Sequence, residues 1–483
     1  MTHNRSSSSL KPRTAGALAA LLAAVALSAC TTIPQSAPFA SEPSQAKKVN
    51  PIDSVNGETW WKGLGDAQLQ TLLTQAFNNS PSLAMAEARL NQAQAAVSQY
   101  RASSAPQVGL NATAYEGKQS YNYLFPKEAV PQGYKDYGQA TLSFNWELDF
   151  WGKNRAAIAA ASTNAQAAAA DAAQARLVLS TAIANAYIEL DRLYQERDLA
   201  ERAVAIRQDS AHLVQQKLDN GVSNQAQNEQ AKAGIYAAQA DLDALDEQID
   251  LNKHLIAMLT GAAPDFAATL KRPALANTQA FGAVPERIDL NLIGRRPDVI
   301  AARWRAEAAS AHIKQAHAAF YPNINLAAYV GAQALGLNKL FSSGSDIGQV
   351  GPAISLPLFD GGALKANLKS AESEHALAIA SYNQDVLVAM QQVADTLTSL
   401  TALKSRLDNS EQALTAYEKA YSLSKLRYDG GLSDYTTLLV AEQSLLNQRR
   451  VVADLRSRAL TLDVALIKSL GGTYAGNTDT STN

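Results

Sequence analysis

Residues 139–150, QATLSFNWELDF, alternate without a fault. Ala140, Leu142, Phe144, Trp146, Leu148 and Phe150 fall on one side, with Gln139, Thr141, Ser143, Asn145, Glu147 and Asp149 on the other. Strict alternation predicts a β-strand with one apolar and one polar face. After WGK the period changes. From about Arg155 to Leu218, and again from Ala363 to Tyr428, the chain holds neither Gly nor Pro. Small and apolar residues recur there at three- and four-residue steps, as in Leu364, Leu368, Ala371, His375, Ala378 and Tyr382, then Leu400, Leu403, Leu407, Ser410, Leu414, Tyr417 and Tyr421. That is coiled-coil spacing, with alanine at many seam positions. At 1.5 Å per residue such helices reach roughly 96 Å.

The two long stretches belong to a duplication. Pro81 aligns with Pro297 and Pro106 with Pro322, both 216 positions apart. DFWGKNRAA matches LFDGGALKA, Phe150 with Phe359, and KLDNGVSN from Lys217 matches RYDGGLSD from Arg427. Each copy predicts one series of elements. A helix starts at Ser80-Pro81 or Arg296-Pro297, where proline suits the first helical position, and ends near Pro106 or Pro322. A strand follows, with Val108, Leu110, Ala112 and Ala114 on one face of the first copy and Ile324, Leu326, Ala328 and Val330 on one face of the second. The second strands are 139–150 and QVGPAISLPLF (349–359), the latter weakened by Pro352 and Pro357. Next comes a long helix. Turns at DNG and DGG then reverse the chain into return helices, about Asn224 to Met258 and Asp434 to Ser469. A short helix and a return helix stacked end to end nearly match one long helix. The plan is therefore two paired-helix columns per chain, strands at one end and turns at the other.

Strands of about ten residues suffice to cross a bilayer when tilted. An apolar face would meet lipid and a polar face line a lumen. Four strands cannot close a barrel, and an open sheet would leave unpaired edges in hydrocarbon. The barrel must be shared between chains; a dimer supplies eight strands, a trimer twelve, and spacing alone does not choose.

The N-terminus adds a location. Basic Arg5, Lys11 and Arg13 precede the apolar run AGALAALLAAVALSA and Cys30, the sole cysteine of the 483 residues. Residues 1–29 read as a signal peptide, too short in its apolar run to span a membrane. LSAC (27–30) resembles a bacterial lipobox, which implies cleavage before Cys30 and lipid on its sulfur and new amino group. Thr31 is not the aspartate that retains lipoproteins in the inner membrane. Residues 30–57, rich in Pro, Ser, Thr and Gln, read as a lipidated tether. The remaining divisions are a first repeat over 58–265, a linker over 266–281, a second repeat over 282–474 and a disordered tail over 475–483. No other stretch reads as a membrane-spanning helix.

Taken with WWKGLGDAQLQTLL, RRPDV with its following AAFYPNINL, LPLFDGG and the closing SLGGTY, the chain resembles outer-membrane efflux channels of the TolC family, in the lipoprotein branch of OprM and NodT. The resemblance runs from about Trp60 to Tyr474. It implies an α+β membrane protein, a homotrimer whose four strands per chain build a twelve-stranded barrel continuous with a periplasmic helical tunnel. It implies the outer membrane of a Gram-negative bacterium, lipid-anchored, and the passive export of drugs or other small toxic compounds. A periplasmic adaptor and an inner-membrane pump of the resistance-nodulation-division, major facilitator or fusaric-acid type are the implied partners. No cofactor is implied. The alternative is a lipid-anchored coiled-coil scaffold of the envelope without a pore, which would not explain four alternating strands placed symmetrically in two copies.

Candidate chemistry concentrates at the turns. Arg427, Tyr428, Asp429, Asp434 and Tyr435 in LRYDGGLSDYTTLL offer donors and acceptors that can tie neighbouring helix ends, as a periplasmic gate. The same residues also read as helix terminators and caps. Asp219, Asn220, Gly221, Gly430 and Gly431 are candidate adaptor-contact turns. Multidrug relatives carry an acidic residue one turn beyond the tyrosine; here Val440 takes that place, with Thr436 before it, while Glu442 falls on another face. An acidic, cation-binding ring is not expected. A net charge of −2 gives no reason to expect a nucleic-acid partner. His312 and His317 stand five apart rather than the four that places two ligands on one helix face. Nor is there a phosphate loop, HExxH or nucleophile elbow, so the reading is not an enzyme.

Overall fold

The computed structural model describes residues 60–123, 125–275 and 290–472. All lie in the second of two units into which the chain divides, Val49–Asn483. The signal peptide, Cys30, the tether and the tail fall outside the described residues.

The first copy contains α1 (Ala67–Asn79), α2 (Pro81–Ser103), β1 (Gln107–Gly117), β2 (Lys135–Glu147), α3 (Lys153–Asp219) and α4 (Gln225–Leu259). The second contains α5 (Pro297–Ala318), β3 (Asn323–Leu335), β4 (Asp346–Ser355), α6 (Ala363–Asp429) and α7 (Tyr435–Ser469). Both α3 and α6 have 67 residues, roughly 100 Å of helix. Helix α1 is an addition to the sequence reading. Its signal was present, since Asp66 accepts from the Gln68 N–H as an N-cap before the apolar series Leu69, Leu72, Leu73 and Ala76.

Both second strands differ from expectation at each end, β2 beginning at Lys135, four residues before 139. β2 stops at Glu147 instead of running to Phe150, so five residues separate it from α3. The cause is local: the Phe150 N–H turns back to Leu148 O, and the Asp149 carboxylate accepts from the N–H groups of Asn154 and Arg155. An aspartate engaged in capping the helix carries its neighbours out of the sheet. β4 runs Asp346–Ser355, earlier than the predicted 349–359. Pro352 lies within it, opposite Leu326, on the last strand of the sheet, where a missing donor is tolerated. Leu356, Pro357, Leu358 and Phe359 lie beyond its end.

The sheet is antiparallel in the order β1-β2-β3-β4, so the two copies meet at the central β2–β3 pair. Its register extends the alternation across all strands. Leu110, Leu142, Val330 and Gly348 form one cross-strand row, and Val108, Phe144, Ala328 and Val350 the next. Asn111, Thr141, Gly331 and Ile347, then Gly109, Ser143, Tyr329 and Gln349, form rows on the opposite face, with Ile347 an apolar side chain among them. Among the described residues β1 and β4 each keep one edge unpaired.

The columns are less separate than the stacking argument implied. Helices α2 and α4 pack on α3, and α5 and α7 on α6, but α5 and α7 also pack on α3. Alanines explain this contact: Ala156, Ala157, Ala160 and Ala161 of α3 and Ala301, Ala302, Ala308 and Ala309 of α5 are all buried. Small side chains let helix axes come close. A second meeting point joins motifs far apart in sequence. Trp60, Trp61, Phe77, Arg176, Pro297 and Gly471 line one small pocket, with the Arg176 guanidinium 4.0 Å from the centre of the Phe77 ring. Buried Arg296 donates to Ser469 O (3.1 Å) and pairs with Asp298 (2.7 Å), so RRPDV caps the end of α7. The core centres on Tyr187, whose hydroxyl donates to Asp66 at 2.7 Å. Asp66 also accepts from Ala274 N, which fastens the segment following α4 to the start of α1.

Candidate channel wall and periplasmic turns

The wall follows from the register. On the apolar face Val108, Leu110, Val330 and Val350 are between 63% and 75% exposed. Branched and aliphatic residues in this density on an open sheet face do not suit water, whereas hydrocarbon accepts them. The other face carries Asn111, Thr113, Gln139, Thr141, Ser143, Asn145 and Glu147 from β1 and β2. Aromatic side chains collect where the strands meet the helices: Trp151 stacks on Tyr321 at 4.8 Å and donates to Pro322 O, and Trp146 donates to Ser104 O. Amphipathic rings of this kind occupy membrane–water boundaries.

At the opposite end the two turns are built alike. After α3 the Val222 N–H bonds Lys217 O at 2.7 Å and Gly221 takes φ +72°; after α6 the Leu432 N–H bonds Arg427 O at 2.7 Å and Gly431 takes φ +69°. The left-handed position suits glycine and closes each helix. The next helix begins on a side-chain cap in both copies, Asn224 to the Gln227 N–H (2.9 Å) and Asp434 to the Thr437 N–H (2.8 Å). Thr437 Oγ1 also donates to Asp434, and these bonds hold its carboxyl below the ordinary carboxylate range. Asn220 adds a bond from its amide to Gln216 O, and Asp219 accepts from Gln215.

Tyr428 and Tyr435 come together. Both are buried, their ring centres lie 5.9 Å apart, and they share a cluster with Ala211, Val214, Ala231 and Leu438. Burial raises both phenols. The cluster joins the two hairpins of one chain, because Ala211 and Val214 belong to α3 and Ala231 to α4. Arg427, Thr436 and Val440 are not part of it and remain exposed. Asp429 lies 3.8 Å from Lys425 of its own helix.

Three further residues complete the joint; sequence reasoning set Glu442 on a face other than Val440's but assigned none of the three to the joint. Lys217 Nζ donates to Tyr428 O at 2.8 Å and sits 3.5 Å from the centre of its ring. Lys217 is the duplicate of Arg427, and that correspondence was the available signal. About three turns higher, Arg207 of α3 meets Glu442 of α7 at 2.9 Å, with the Glu442 side chain 1% exposed. Burial pushes the Glu442 carboxyl up against the opposing pull of Arg207. Glu442 thus points into the packing between hairpins, while Val440 points out. Among the described residues no three His, Cys, Asp or Glu side chains group to hold a metal ion.

Comparison with known proteins agrees with this architecture. Residues 72–262 and 291–472 match the family model for outer membrane efflux proteins. The chain is 31% identical over 422 residues to the multidrug resistance outer membrane protein MdtP of Shigella flexneri, covering 86% of each chain. It is 31% identical over 376 residues to the fusaric acid resistance protein FusA of Burkholderia cepacia, covering 75% of this chain and 70% of that one. Among solved structures it matches the outer membrane protein VceC of Vibrio cholerae at 43% identity and a TM-score of 0.81, over 86% of this chain and 98% of that one. A scaffold without a pore is set aside. The chain belongs to the outer membrane efflux protein family and is an outer-membrane efflux channel, its four strands one copy's share of a trimeric twelve-stranded barrel and its helices a share of the periplasmic tunnel.

Proposed function

We propose that the trimer is the passive outer conduit of a tripartite system, closed at its periplasmic end by ties between the two hairpins of each chain. The observation that carries this reading is the Lys217–Tyr428 contact. An ammonium that both donates to a carbonyl and lies over a ring gains from two favourable interactions at one place. Parting the turn ends would remove both, and would uncover Tyr428 and Tyr435. Arg427, Asp429, Thr436 and Val440 line the approach to this joint. Asp434 sets the start of α7, and so the position of Tyr435.

The partners in this reading are a periplasmic adaptor, which meets the turns at Asp219–Gly221 and Gly430–Gly431, and an inner-membrane pump of the resistance-nodulation-division, major facilitator or fusaric-acid type. Relatives named for multidrug and fusaric acid resistance support drugs or other small toxic compounds as cargo. Cys30 carries the lipid anchor. Cys30→Ala should abolish lipid labelling and leave trimers intact, since a shared barrel already holds the protein in the membrane. Loss of trimers in that variant would contradict it.

Single-channel conductance in planar bilayers tests the gate. Tyr428→Ala with Asp434→Ala, and separately Lys217→Ala, should raise conductance. Unchanged conductance in all of them would leave these residues as caps and packing only.

A further inference from the structure

The loop joining β3 to β4, residues 336–345, lies at the end of the strands remote from the helices, and therefore at the outer leaflet. Two bonds pin it to β2: Gly336 N–H to Asp136 O at 2.7 Å and Leu337 N–H to Asp136 Oδ2 at 2.6 Å. Its side is fixed by Gly138. A Cβ on that glycine would stand 2.7 Å from Leu337 Cδ2 and 3.3 Å from Leu340 Cδ2. Gly138 shares its face with Ala140, Leu142 and Phe144, the apolar face of the sheet. The loop accordingly folds down over the lipid-facing wall.

There Leu337 and Leu340 lie against the apolar wall at Gly138, with Leu337 46% exposed and the following Phe341 85% exposed. Between them in sequence Lys339 is exposed, and among the described residues it has no carboxylate partner. Apolar side chains flanking a lysine on an outward surface are the pattern of a membrane-interface contact, the rings and aliphatic groups entering the acyl layer and the ammonium rising to the headgroups.

We propose that this loop binds the phosphorylated glycolipid of the outer leaflet, with Leu337 and Phe341 among its acyl chains and Lys339 on a headgroup phosphate. Continuity with the lipid-facing sheet selects a lipid as the occupant. The outer end of the barrel selects the leaflet, and an exposed cation without a carboxylate partner among the described residues selects the anionic headgroup.

The test uses the full-length trimer in detergent, with binding of lipid A, of its dephosphorylated form and of phosphatidylcholine read by native mass spectrometry. The parent should prefer lipid A to its dephosphorylated form by about fivefold or more, Lys339→Ala should abolish that preference, and Lys339→Arg should keep it. Phe341→Ser should weaken binding of both forms while single-channel conductance stays unchanged. A parent without preference, or a Lys339→Ala variant that retains it, overturns the proposal. So does loss of trimers in Phe341→Ser with lipid A preference intact in Lys339→Ala, since the loop would then be covered by the neighbouring copy.

Discussion

Helices α3 and α6 are duplicates of one another, equal at 67 residues and aligned position for position, yet 22 residues of α3 are buried against 7 of α6. The pair at one duplicated position makes the contrast concrete: Leu177 is 7% exposed and Leu387 61%. Helix α3 is covered within its own chain by α2, α4, α5 and α7. Helix α6 keeps an uncovered apolar side that includes Leu377, Leu387, Leu423 and Leu426. By length and composition alone part of it could pass for a membrane span, where the sequence reading found no such stretch. A periplasmic tunnel of several chains gives a simpler account, in which such a face awaits a neighbouring copy. Duplication copied the backbone plan and left each copy free to diverge in what it buries.

The largest effect should come from charging the uncovered side. Leu387→Glu with Leu423→Glu is expected to abolish trimers on native gels while the protomer keeps its helical circular dichroism. Persistence of trimers would place those leucines on the tunnel lumen instead. Next is the buried ion pair between hairpins. Arg207→Ala leaves Glu442 without its partner and should destabilise the folded chain by about 3–5 kcal/mol in a denaturant titration. The duplicate position, Tyr417, is 41% exposed, and Tyr417→Ala should cost under about 1 kcal/mol. An equal effect at both sites would dissolve the contrast between the copies.

Leu177→Ala should destabilise by about 2–5 kcal/mol through the cavity it opens, and Leu387→Ala by much less when measured below the trimer dissociation concentration. The smallest effect is a pH dependence. Burial holds the Glu442 carboxyl above its ordinary value of 4.5 against the pull of Arg207, so folding makes its ionisation harder than in the unfolded chain. The stability due to this group is therefore complete below pH 4.5 and lost as pH rises through the elevated folded value. The melting temperature of Glu442→Gln should match the parent's at low pH and exceed it increasingly toward neutrality. A constant offset at every pH would show that Glu442 titrates normally.

Much of this architecture was legible in the chain itself because the signals were local. Proline at 81 and 297, glycine and aspartate at the turns, and uninterrupted helical spacing between them placed the long and return helices to within about two residues of their ends. The strand ends were less legible. Asp149 reads as the next residue of an alternating series, and only its bonds to Asn154 and Arg155 reveal it as a helix cap. At the turns, Tyr428 and Tyr435 were visible as candidates, whereas Lys217, Arg207 and Glu442 were not assigned to the joint. Periodicity says which side of a helix is apolar or charged. It does not say which other helix will face that side.

The order of residues alone determined the repeated series of helix, two strands and long hairpin, the two faces of each strand, and the need for more than one chain to close the barrel. These follow from backbone geometry and the side-chain period of each element. Tertiary structure decided that α3 would be the shared column, that Glu442 and Tyr428 would bind the hairpins together, and that the outer loop would lie against the lipid-facing wall. Those outcomes depend on contacts between residues hundreds of positions apart, whose energies exist only once the helices and strands are packed.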